Sequence, residues 1–223
     1  EIDFWTKEEF EKVIKTFYIE DYYQNFSFIC IWLLFMTGMR IGEATALTWK
    51  DVNLDGRYLT VKNSLYYKNA QTYEFVSPKT RASIRTIYLD EDTVHYLRDW
   101  KKRQDDVGGI EFVLSYNSVP TQKHTVRHII KRHAKLAEVH DIRIHALRHS
   151  HASLLISMGT NALLIKERLG HEDVQTTLGT YRHLYPSSST EIANELKGIV
   201  NVEFTERNMA SEVTNQFTKG VKK

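Results

Sequence analysis

Four separated stretches of the chain carry side chains suited to holding and attacking a phosphodiester. The first is Thr37-Gly38-Met39-Arg40-Ile41-Gly42-Glu43. Gly38 can end one helix in a left-handed conformation and Arg40 can open the next. Glu43, three residues on, then shares the face of Arg40 and can fix its guanidinium. Arginine suits phosphate because its planar fork donates to two oxygens and stays charged, yet such a pair on its own is more often a surface ion pair than a site. The second stretch, Ser77-Pro78-Lys79-Thr80-Arg81, falls between two expected strands. A lysine at a hairpin tip can enter a DNA groove and protonate a leaving oxygen if its surroundings lower its pKa. Without companions it reads as any exposed turn lysine.

The third stretch, His145-Ala146-Leu147-Arg148-His149-Ser150-His151-Ala152, is more informative. His145 and Arg148 share a helix face and can address one phosphate, while Leu147, Leu154 and Leu155 supply packing. Zinc binding by His145 and His149, four apart, is the competing reading, but the glutamate of a His-Glu-x-x-His helix is missing and no cysteine is near. The site is therefore expected to hold no metal. The fourth stretch is Leu169-Gly170-His171-Glu172-Asp173, with Tyr181 ten residues beyond His171. A lone tyrosine on an amphipathic helix is usually a packing residue, and the chain has 12 tyrosines, so only the combination singles out Tyr181.

Together these types fit one reaction. Preorganised cations stabilise the charge that builds on the non-bridging oxygens of a phosphodiester transition state, and Arg40, Arg148 and His171 are expected to do so. A phenol, with a pKa near ~10, is a poor nucleophile at neutral pH unless cations favour its phenolate or a base such as His145 takes its proton. Lys79 would protonate the departing 5′-oxygen.

The elements that must carry these residues follow from caps and periodicity. Thr6 and Glu9 form a capping box opening a helix to about Tyr18. Helices are expected at Tyr22 to Thr37, Ile41 to Leu47, Asp90 to Gln104, Thr121 to Ala137, His145 to Met158, Asn161 to Leu169, Val174 to Tyr181 and Glu191 to Ile199, the last capped by Ser188. Short β-rich runs at Tyr58 to Val61, Tyr73 to Val76 and Ile84 to Leu89 predict a small antiparallel three-stranded sheet among helices. The fold class is thus α+β and mostly helical. The tail Asn201 to Lys223 is polar and weakly patterned, either mobile or ordered by a partner.

Composition narrows the setting. The chain's 223 residues, 42% apolar, suffice for a sizeable core. Its single cysteine, Cys30, lies in an apolar run, which excludes a disulfide scaffold and points to a buried thiol in a reducing compartment. The apolar run Phe26 to Met36 is too short to span a bilayer, so a soluble, cytoplasmic protein is expected. A net charge of +2 says little. Its distribution says more: Lys123, Arg127, Lys131, Arg132, Lys135, Arg143 and Arg148 face only Glu138 and Asp141 over that span. A cluster of this kind fits a solvated helix face and a phosphate-binding surface equally.

The ordered set Thr-Gly-Met-Arg-Ile-Gly-Glu, Lys79, His-x-x-Arg at His145 to Arg148, Leu-Gly-His at Leu169 to His171, and Tyr181 resembles the catalytic domain of the tyrosine recombinase family, which includes phage and conjugative-transposon integrases. The resemblance spans nearly all of residues 1–200 and leaves 201–223 as a tail. It implies a catalytic set of Arg40, Lys79, His145, Arg148, His171 and Tyr181, supported by Glu43. It also implies binding of a double-stranded recombination site, joining of the DNA 3′-phosphate to tyrosine, release of a 5′-hydroxyl, a Holliday junction, and a homo-tetramer on DNA. No cofactor, metal, ATP or membrane partner is implied; excision and host DNA-bending factors are. Helix Thr121 to Ala137 is the expected reader of DNA, through Gln122, Lys123, Thr125, Arg127 and Lys131. The family's amino-terminal core-binding and arm-binding domains have no match here, so the chain reads as a truncation with weakened DNA affinity. The segment after Tyr181 is a candidate for exchange between protomers, and Gly179 is expected to loosen the tyrosine's helix. Three rivals stay open: a type IB topoisomerase, a DNA-binding module without catalysis, and a histidine-rich metallohydrolase.

Overall fold

The Thr6 cap closes as its sequence requires. Its hydroxyl accepts from Glu9 N at 3.3 Å, the Glu9 carboxylate accepts from Thr6 N at 2.9 Å, and helix α1 runs Lys7–Ile14. The helix stops short of Tyr18 because the Thr16 hydroxyl turns back to donate to Val13 O at 2.6 Å, offering the backbone an alternative to another turn. Helix α2, Tyr22–Thr37, begins at an Asp21 cap and ends at Gly38, whose φ of 64° is left-handed. Past its first turn it is apolar on nearly every side because nearly every side is covered: it packs against α4 (Glu91–Asp106), α5 (Lys123–Leu136) and α6 (Ala146–Ser157) and forms the centre of the core. Cys30 is buried there, and burial raises its thiol pKa.

The structure, a computed structural model, describes residues 3–69, 72–77 and 81–185, together with 194, 196, 197 and 199. Lys79 lies outside the described residues, as do the Ser188 cap, most of the helix expected at Glu191 to Ile199, and the tail from 201 to 223. The chain divides into two compact units, Glu1–Tyr185 and Pro186–Lys223, and every element named here belongs to the first.

Two antiparallel sheets follow the short helix α3, Ile41–Ala46. The three-stranded one has the order β1 (Val52–Asn53), β2 (Tyr58–Val61), β5 (Arg85–Tyr88), with Leu59 opposite Ile87 and Val61 opposite Arg85. Tyr73–Val76, expected in this sheet, instead forms β4 and pairs with β3, Ser64–Tyr67, in a separate hairpin. Two local causes account for this. Glu74, Phe75 and Val76 are exposed, so the strand has no inward apolar face to contribute to the core sheet. The turn between β3 and β4 is closed locally, with Asn69 Oδ1 accepting from Thr72 N at 2.8 Å.

The remaining helices, α7 (Ala162–Leu169) and α8 (Val174–Tyr181), fall where their caps place them: Asn161 and Asp173 at the starts, and Gly170 with φ 70° at the end of α7. Among the described residues, no helix is long and apolar enough to cross a membrane.

Candidate active site

Helix ends build this site. A helix leaves its last carbonyls without intrahelical partners, and Arg148, on the first turn of α6, uses two of them. Its Nη1 donates to Gly38 O at the end of α2 (2.7 Å) and its Nη2 to Leu169 O at the end of α7 (2.8 Å). The guanidinium is thereby fixed between two left-handed glycine caps with the residue only 2% exposed. Burial, and then the charge of Arg40, lower its pKa to about 9, with Glu43 acting in the opposite sense. It is still charged at neutral pH.

Glu43 is the hub for the other arginines. Its carboxylate accepts from Arg40 N (2.8 Å) and Arg40 Nη1 (3.0 Å) on one side, and from Arg85 Nη1 (3.2 Å) and Nη2 (3.0 Å) on the other. Burial raises the Glu43 pKa, but the hydrogen bonds and charge of Arg85, with help from Arg40, outweigh it and the net shift is downward. Arg85 also donates from Nε to Arg168 O at 2.7 Å. Arg168 in turn donates to Met36 O, Tyr88 O and His151 Nε2, each within 3.1 Å, and so clamps α7 to α2, β5 and α6.

The imidazoles complete the cluster. His171, just past the Gly170 cap, pairs through Nδ1 with Thr177 Oγ1 at 2.8 Å. Burial first, then the charges of Arg148, Arg40 and Arg85, push it down to about 4. His145, at the start of α6, is lowered by burial and by Arg148 and Arg40. One turn on, His149 crosses the His145 ring at right angles, centroids 4.8 Å apart. Its Nδ1 lies 2.7 Å from the Tyr181 hydroxyl. Burial carries the phenol up to about 12 although Arg148 acts against it.

Arg40, His145, Arg148 and His171, drawn from three parts of the sequence, thus lie within electrostatic reach of one another, and Tyr181 joins them through Arg148. A cleft of about 710 Å³ opens beside them, lined among others by Arg40, Glu43, Ser64, Tyr66, Lys123, His145, Gly170 and His171. Arg40, Arg85 and Arg148 gather around one buried carboxylate, Glu43; burial first, and then their charges, depress the two imidazoles, and Glu172 adds a second carboxylate to the cleft lining. This is an excess of positive charge that an anion in the cleft would relieve. Among the described residues, no group of three or more His, Cys, Asp or Glu is placed to hold a metal ion.

The residues expected to read DNA lie on or just before α5. Gln122 is its N-cap, Lys123 reaches the cleft, and Thr125 and Lys131 follow along the helix, Lys131 exposed. Arg127 is engaged within the chain, donating through both terminal nitrogens to the Asp141 carboxylate. Sequence reasoning gave no role to Arg85, Arg168 or Thr177, and weighed His149 only as a zinc ligand. Arg85 had one legible signal: it stands two residues from Ile87 on the strand's buried face, where a charge needs a partner.

With that geometry in view, residues 4–188 match the phage integrase family, and the chain belongs to it. Its fold is that of a tyrosine-recombinase catalytic domain. The catalytic domain of bacteriophage HP1 integrase superposes with a TM-score of 0.55 over 92% of this chain and all of that one, at 19% identity. The Tn1549 transposon integrase in complex with transposon right end DNA gives a TM-score of 0.71 at 22% identity, covering 87% of this chain and 65% of that one. In sequence, the ICEBs1 integrase of Bacillus subtilis is 34% identical over 215 residues, 88% of this chain and 55% of the relative. The chain spans about half the length of the curated relatives it matches.

Proposed function

We propose that this chain is the catalytic domain of a site-specific recombinase that integrates and excises a mobile DNA element, cutting and rejoining duplex DNA through a 3′-phosphotyrosine at Tyr181. The observation that carries this reading is the surplus of positive charge around Arg148, gathered beside a cleft and beside a tyrosine hydroxyl. Arg40, Arg148 and His171 bind the scissile phosphate and the charge that grows on it. The Tyr181 oxygen attacks phosphorus, the bond to the 5′-oxygen breaks, and Lys79 protonates the departing oxygen. His145 helps to remove the phenol proton. The phosphotyrosine ester keeps the energy of the broken bond, so rejoining needs neither ATP nor a metal. Tetramer assembly on a recombination site, accessory bending factors and a bacterial cytoplasmic setting belong to the same reading, which draws on the likeness in sequence to the ICEBs1 integrase of Bacillus subtilis.

A nicked suicide substrate carrying the cognate site tests it. Wild-type protein becomes covalently attached to a DNA 3′ end, and Tyr181→Phe does not. A 5′-thio leaving group, which needs little protonation, rescues Lys79→Ala but neither Arg40→Ala nor Arg148→Ala. Failure of that rescue reassigns the acid. Plasmid relaxation without site dependence would mark a topoisomerase instead, and cleavage abolished by chelators a metallohydrolase.

A further inference from the structure

Tyr181 and Arg148 are almost wholly enclosed, 1% and 2% exposed, and neither lines the cleft that Arg40, His145 and His171 face. A phosphate entering the cleft as it stands therefore meets three of the five groups but not the phenol. Among the described residues the hydroxyl's partner is His149 Nδ1 at 2.7 Å, and the two rings meet at 63° with centroids 5.6 Å apart. His149 comes from the body of α6 and Tyr181 from the last position of α8, so this bond ties the end of one helix to the body of another.

We propose that His149 is the positioning residue for Tyr181: its imidazole accepts the phenol O–H and holds α8 in a closed docking position that must open before the phenol can reach a phosphate in the cleft. The inference rests on Tyr181 being the nucleophile. Donor and acceptor roles follow from protonation. A phenol raised to about 12 keeps its proton at neutral pH, and an imidazole held near 4 by burial, His145 and Arg148 is neutral and free to accept at Nδ1. The flanking chain suits an opening motion. Gly179 sits in the same turn of α8 with nothing within 4 Å of the Cβ it lacks, and it weakens that turn as a helix former.

The test uses His149→Leu, which keeps bulk without an acceptor, and His149→Asn, whose side-chain oxygen can stand near the place of Nδ1. Nitration of Tyr181 by tetranitromethane, read peptide by peptide in protein without DNA, is expected to quicken roughly fivefold in the leucine variant, the change that one net hydrogen bond supports. The asparagine variant should stay near wild type. On a suicide substrate the leucine variant should form the covalent complex faster. Unchanged nitration in the leucine variant would reduce the contact to ordinary packing and overturn the proposal. Slower cleavage by both variants would make His149 a proton acceptor in the reaction and overturn it too. Should the leucine variant not fold, amide exchange in α8 of Tyr181→Phe answers the same question: faster exchange supports the latch and unchanged exchange refutes it. No covalent complex from any variant, with nitration behaving as expected, would fault the nucleophile assignment and leave the latch standing as a contact.

Discussion

Replacing Glu43 with alanine separates a buried charge hub from a surface ion pair. In the structure the Glu43 and Arg85 side chains are 7% and 6% exposed and share two hydrogen bonds, whereas Arg40 on the other side is 41% exposed. Removing one partner of a buried pair strands the other charge and costs about 3–5 kcal/mol, whereas an exposed pair is worth ~0–1 kcal/mol. Glu43→Ala is therefore expected to cost several times what Arg40→Ala costs. With a urea m-value of about 2 kcal/mol/M, the unfolding midpoint of Glu43→Ala should fall by roughly 2 M at pH 7. The pH dependence has a definite sign. The folded carboxylate has its pKa lowered, so its stabilisation is present above the unfolded value and lost as pH falls through the folded one. The deficit of Glu43→Ala should thus shrink in acid. Glu43→Ala with Arg85→Leu should recover part of the loss, because a neutral buried pair needs no counter-charge. A midpoint for Glu43→Ala within 0.5 M of wild type, roughly 1 kcal/mol at an unchanged m-value, would refute the hub.

Three further perturbations follow from the same geometry. Gly38→Ala forces a side chain into φ 64° and sets its Cβ 2.6 Å from His151 Cδ2 and 2.7 Å from Leu169 Cδ2, so it should lose about 3 kcal/mol of stability; a loss below about 1 kcal/mol would show that the cap can shift. Gly179→Ala meets open space on an exposed helix face and should stabilise by up to ~1 kcal/mol and slow amide exchange near Tyr181, whereas a loss of stability would contradict that reading. His133, buried against Phe17 at 3.7 Å, and His151, buried beside Arg168, are held down to about 4 and about 3. The unfolded chain therefore takes up their protons first, and thermal stability should be full above about pH 6.5 and fall as pH drops towards 4; a flat profile across that window would count against their burial as neutral rings.

Most helices were legible in the sequence because each carries its own punctuation: Thr6 with Glu9, Gly38, Asp90, Asn161, Gly170 and Asp173 all cap where their types suggest. The short strand Val52–Asn53 and the pairing of Tyr73–Val76 with Ser64–Tyr67 were not, since two residues carry no periodicity and strand pairing is settled by which neighbour offers a face. In the site, types and spacing pointed to Arg40, His145, Arg148, His171 and Tyr181; the fold turns Arg40, His145 and His171 to one cleft and encloses Arg148 and Tyr181 behind it. The supports were hidden. Arg85 and Arg168 act by donating to carbonyls at helix and strand ends contributed by distant segments, and no local pattern marks a carbonyl. His149 was visible only as a zinc-ligand alternative beside His145, because its partner lies 32 residues away on another helix.

The most direct measurement is to trap the protein on a suicide substrate, digest protein and DNA, and locate the nucleotide-bearing peptide by mass spectrometry. Of the chain's 12 tyrosines, only Tyr181 should carry the adduct, joined through a 3′-phosphate. An adduct on any other residue, or on a 5′-phosphate, would contradict the assignment.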